Sequence, residues 1–120
     1  MADVKISDGL VIIELRGLDK ILAFKGRLEI PLSHVRSARV DPQAASGPWH
    51  GLRLPGTNVP GVVTAGSFRD EGEWTFFDVH DPSKAVVIEL GGHERYKRLV
   101  IEVEDPAHVV RSLNQAVAGY

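Results

Sequence analysis

Apolar and polar residues alternate at period two along most of this chain, and only the C-terminal end changes to a helical period. The first alternating pair flanks Asp8-Gly9, with Val4-Lys5-Ile6 before it and Leu10-Val11-Ile12-Ile13 after it. Asp-Gly tolerates the positive φ of a tight hairpin turn, so strands are predicted over about 3–7 and 10–16. In the second strand Val11, Ile13 and Leu15 face a core, while Glu14 and Arg16 are spaced for the other side. Gly17 to Phe24 then reads either as a helical turn or two, carried by Leu18, Ile21 and Leu22, or as an irregular apolar connection.

Alternation returns in Arg27–Pro31 and again in Val35–Val40, with Pro31 marking an edge, bend or strand end. Residues 41–61 are punctuated by Asp41-Pro42, Gly47-Pro48, Pro55-Gly56 and Pro60-Gly61. This stretch reads as a long surface loop with room for one short strand around Trp49–Leu54. Strands at about 62–68 and 73–79 flank a hairpin connection at Arg69–Gly72. A last pair covers about 85–90 and 98–103, with Val86/Ile88/Leu90 and Leu99/Ile101/Val103 as its core-facing sets.

The C-terminal helix has the clearest signal. Asp105 is a good N-cap, and Pro106 occupies the first helical position, where its missing N–H costs nothing. Val109, Val110, Leu113, Ala116 and Val117 then form one apolar stripe on a helix of about 13 residues. A helix of that length is marginal alone and needs a sheet to cover. Strands first and a helix last predict a mainly β fold: a bent, partly open antiparallel barrel or sandwich capped by a terminal helix.

Composition narrows the classes. The 120 residues suit one domain, 1–120, and a 43% apolar, 25% charged balance is that of a globular protein. With no cysteine, a disulfide framework, thiol catalysis and cysteine-ligated zinc are excluded. The start MADVKISDGL lacks the basic and apolar regions of a signal peptide, which leads to the expectation of a cytoplasmic location. Apolar runs fall far short of the roughly 20 residues needed to span a bilayer. A net charge of −2 argues against a nonspecific nucleic-acid binder.

The stretch Leu28-Glu29-Ile30-Pro31-Leu32-Ser33-His34-Val35-Arg36-Ser37-Ala38 resembles the "strand, IPL, polar, aliphatic" passage of bacterial pleckstrin-homology-like (PH-like) domains. Lys84–Leu90, Tyr96–Val103 and Asp105-Pro106 resemble the last hairpin and capping helix of small single-domain actinobacterial members. The resemblance implies about seven strands and a C-terminal helix closing one end. It implies little about activity, since such domains bind phosphoinositides, proteins or neither.

Candidate chemistry is sparse. Lys20, Lys25 and Arg27 lie close together, and Lys25-Gly26-Arg27 is similar to the basic element with which some PH domains hold inositol phosphates. Clustered cations bind phosphate, so these three are the candidate anion-binding residues, although a solvated strand end is the commoner meaning of such a cluster. The histidines at 34, 50, 80, 93 and 108 lack metal-motif spacing. Asp78 and His80 share a strand face but need a third ligand from elsewhere. No nucleophile elbow, dinucleotide fingerprint or phosphate loop is present.

Trp74 and Phe76 share one face of their strand, and Phe77 and Val79 share the other. Such a strand is either covered on both sides, with Trp74 under the 41–61 loop, or presents Trp74 and Phe76 as an interface. The sequence therefore points to a non-enzymatic interaction module without a cofactor. Its expected partner is a protein or a second copy, through an edge strand or the Trp74/Phe76 face. An anionic membrane surface or phosphate ligand is the alternative, and the acidic balance does not favour it.

Overall fold

The computed structural model describes residues 2–16, 27–42, 52–59, 63–70, 72–79 and 81–119. Among them are nine strands, against the about seven that the resemblance implies: β1 (Ala2–Ser7), β2 (Leu10–Leu15), β3 (Arg27–Pro31), β4 (Val35–Val40), β5 (Leu52–Val59), β6 (Val63–Asp70), β7 (Glu73–Val79), β8 (Ala85–Leu90) and β9 (Arg98–Glu102). One α-helix, α1 (Pro106–Ala118), ends the chain. The strands form a three-stranded sheet, β1-β2-β3, and a six-stranded sheet, β4-β8-β9-β7-β6-β5, which do not close on each other. The fold is a mainly β, partly open sandwich with a terminal helix.

Local chemistry explains most elements. Asp8 and Gly9 both adopt positive φ, 51° and 76°, and join β1 to β2 with Ser7 opposite Leu10. Both central residues at positive φ match the right-handed twist of the flanking strands. Asp105 caps α1 by accepting from the His108 N–H at 3.2 Å, with Pro106 opening the helix as predicted. A single turn of 3-10 helix, Leu32–His34, carries the chain from the first sheet into the second.

Two features depart from the expected antiparallel arrangement. β9 lies between β8 and β7, antiparallel to β8 but parallel to β7, with Phe76 opposite Leu99. The Pro-containing segment 52–59, which the sequence reads as surface loop with a short strand around Trp49–Leu54, is a longer edge strand of the larger sheet. It tolerates Pro55 because its pairing with β6 shifts register between Arg53 and Gly56, where no ladder donor is demanded. The helical turn expected at 17–24 lies outside the described residues.

The main core sits between the sheets and under the helix. It combines Val11, Ile13 and Leu15 of β2 with Leu28 and Ile30 of β3, Val86, Ile88 and Leu90 of β8, and Leu99 and Ile101 of β9. Leu113 is the fully buried residue of α1; Val109, Val110, Ala116 and Val117 pack half-buried around it. Phe77, Val79, Ala85, Val87 and Val100 form a second buried cluster on the opposite face of the larger sheet. Among the described residues no helix is long and apolar enough to cross a membrane.

Candidate interaction site

The sheet edges differ in how they are guarded. Unpaired strand edges offer backbone donors and acceptors to any extended chain, and stable proteins usually blunt them. At β4 the blunting comes from α1. The Asn114 side chain accepts from the Ala38 N–H at 3.2 Å and donates to the Ala38 carbonyl at 3.0 Å, taking the place of a neighbouring strand. Arg39 of β4 and Arg98 of β9 also converge on Glu89 of β8. Burial raises the Glu89 carboxyl, but the two guanidinium bonds outweigh it and hold the group below its ordinary value. β5 is interrupted by Pro55 and its register shift. β3 ends on Pro31 and presents the exposed charges Arg27 and Glu29.

Asn114→Ala is expected to cost about 1–2 kcal/mol, because two backbone groups at the sheet edge lose their partners together. Urea melting with amide exchange at Ala38 measures it. Unchanged stability and exchange would show that water serves this edge equally well.

β1 carries exposed charges of its own, Asp3 and Lys5, but among the described residues it has neither a proline nor a helix side chain on its edge. It has no register shift, and among the described residues it pairs only with β2. Val4 and Ile6 of β1 face α1 across a groove of about 230 Å³ that is also lined by His108, Val109, Ser112 and Leu113. Ile6 is one of two large apolar side chains left exposed among the described residues, at 38%. On the outer face of β1, Asp3 is gripped by Arg16, whose Nε donates at 2.8 Å. That bond holds the Asp3 carboxyl below its usual range. Lys5 is held loosely, 3.9 Å from Glu14 and 70% exposed.

The residues that the sequence singles out lie elsewhere. Phe76 is fully buried and meets Tyr96 edge-to-face at 5.6 Å, while the Tyr96 hydroxyl and Ser67 share a 2.8 Å hydrogen bond. Trp74 packs half-buried against the main core, with the Arg95 guanidinium 5.9 Å over its ring. Of the face read as either covered or an interface, Phe76 is thus interior packing while Trp74 is partly covered, and the opposite face buries Phe77 and Val79 as well. Of the candidate anion-binding residues, Arg27 is exposed and already bonded to Glu29 at 2.9 Å. Lys20 and Lys25 lie outside the described residues.

His34 and Glu94 carry no joint signal in the sequence, yet they meet at 2.5 Å beside Gly91 and Gly92. Gly92 has φ of +74°, and a Cβ there would lie 2.9 Å from the His34 ring, so the turn needs glycine both for conformation and for space. This pairing ties the 3-10 turn between the sheets to the β8–β9 connection. Its partners lie 60 residues apart, beyond any local spacing rule. Among the described residues no cluster of three His, Asp or Glu is placed to hold a metal ion; His80 is outside them. No family model, curated protein or solved structure matches this chain.

Proposed function

We propose that this protein is a non-enzymatic, PH-like interaction module that binds an extended protein segment along β1. The observation that supports this most is the contrast between edges: Pro31 ends β3, Asn114 caps β4 and Pro55 interrupts β5, whereas among the described residues β1 has no such block and opens onto an apolar groove. A segment added to β1 gains backbone hydrogen bonds, and alternate side chains reach Val4, Ile6, Val109 and Leu113. The PH-like resemblance is compatible with such a role but does not demand it. The anionic-ligand alternative has weaker support, because Arg27 is bonded to a carboxylate and the net charge is −2.

The test is selection of extended peptides from a random displayed library against the immobilised native protein, followed by titration of the winners. Ile6→Glu is expected to weaken their binding by at least tenfold, since one apolar anchor alone contributes about 1.5–3 kcal/mol. Ile6 is exposed, so the thermal transition of the variant should stay within a few degrees of native. Winners indifferent to Ile6→Glu, or no winners at all, would remove the support for this reading.

A further inference from the structure

We infer that the segment docking on β1 is β1 of a second copy, antiparallel and in a single register centred on Val4. The inference rests on the reading of β1 as a docking edge and adds the partner. Its basis is charge. In a two-fold antiparallel pair the faces of both strands are shared, so the axis must pass through a residue rather than between residues. Registers centred on Asp3, Val4, Lys5 and Ile6 all fit within Ala2–Ser7, but those centred on Asp3 and Ile6 pair only a short stretch at one end, leaving Val4 and Lys5 as the two that use most of the strand. Centring on Asp3 sets Asp3 against its own copy, and centring on Lys5 sets Lys5 against its own copy. Like charges directly opposite are destabilising.

Centring on Val4 sets Asp3 opposite the second copy's Lys5 and Lys5 opposite the second copy's Asp3, two opposite-charge pairs from one strand. Lys5 can reach this contact, being 70% exposed and 3.9 Å from its own Glu14. Asp3 keeps Arg16 on its own strand pair and gains a second cation. On the other face the same register sets Val4 against Val4 and Ile6 against Ala2. The row Ala2, Val4, Ile6 then runs continuously across the junction, and the exposed Ile6 acquires an apolar neighbour. The result is a six-stranded sheet built from two three-stranded ones, and a net charge of −2 per copy opposes it little.

Sedimentation of the native protein across the micromolar range, with any tag at the C-terminus, is the direct measurement, and a dimer is expected. Lys5→Asp should weaken it roughly ten- to a hundredfold, because the substitution acts twice across the axis and replaces each attraction by a repulsion. The charge-swapped Asp3→Lys/Lys5→Asp protein should recover most of the affinity. Circular dichroism melts confirm that each variant is folded. Val4→Cys gives a reading independent of charge. The chain has no other cysteine, so oxidation should link two copies through residue 4, while Ser7→Cys, which this register sets well away from its own copy, should stay unlinked.

A native monomer at ~100 μM, well above the micromolar range of modest interfaces, would overturn the inference. A dimer indifferent to Lys5→Asp, or one that links equally through Ser7→Cys, would overturn it too. If the monomer still selects peptides that depend on Ile6, the docking edge stands and only its occupant is wrong. If it selects none, both fall.

Discussion

Replacing Phe76 by alanine is expected to cost about 3–5 kcal/mol, the larger of the two core truncations that test this fold. The ring is fully buried at the centre of β7, between Ser67 of β6 and Leu99 of β9. It also supports Tyr96 edge-to-face, and Tyr96 in turn reaches Ser67. Truncation therefore removes the transfer energy of the ring, leaves a cavity between two sheets that cannot both relax, and loosens a polar contact. Native domains have only about 5–15 kcal/mol in hand, so the variant sits close to unfolding. Urea melting monitored by tryptophan fluorescence reads the loss. A cost below about 1 kcal/mol would mean that Phe76 is not core and would revive the strand as an open interface.

The second large effect is at Leu113, where alanine is expected to cost about 2–5 kcal/mol. Leu113 is the residue through which α1 reaches the interior, and its half-buried neighbours have less surface to lose. A helix of 13 residues has little stability of its own, so undocking means melting. The measurement is paired: urea melting for stability, and far-UV circular dichroism for helix retained below the transition. Because Leu113 also lines the groove beside β1, the surviving folded fraction should bind β1 partners more weakly than native. A loss under about 0.5 kcal/mol would show that the helix is not held on the sheets.

These two positions are unequally legible. Leu113 falls on the apolar stripe that begins at Val109, and the 3.6-residue period alone turns it toward the sheet. Phe76 does not declare itself, because Trp74, Phe76, Phe77 and Val79 make a strand apolar on both faces. Alternation then no longer says which face is inside. The sandwich resolves this by burying both, one against the first sheet and one in the cluster with Val87 and Val100. Residues 52–59 mislead in a related way, since Pro55-Gly56 signals loop locally while the pairing to β6 makes a strand.

The docking edge has a partial signature. Asp3, Val4 and Lys5 are visible in the sequence as an alternating, oppositely charged strip. They become a candidate only because β1 lies at an edge of its sheet that, among the described residues, no proline or helix side chain blocks. Asn114 illustrates the point, since nothing local singles it out beside the apolar stripe of the helix, yet it serves the backbone of Ala38, 76 residues earlier.

By itself the sequence determined the elements whose causes are local: the positive-φ turn at Asp8-Gly9, the alternating strands around it, the Asp105 cap, and the apolar stripe of the helix. Each depends on residues within a few positions of one another, so their chemistry is complete in a short window. Tertiary structure alone decided the rest. It placed β9 parallel to β7, set Asn114 on the edge of β4, joined His34 to Glu94, and left β1 paired on one side only among the described residues. These outcomes depend on pairings between distant segments, and their energy comes from burial and from backbone groups satisfied across the fold, which no short window of sequence contains.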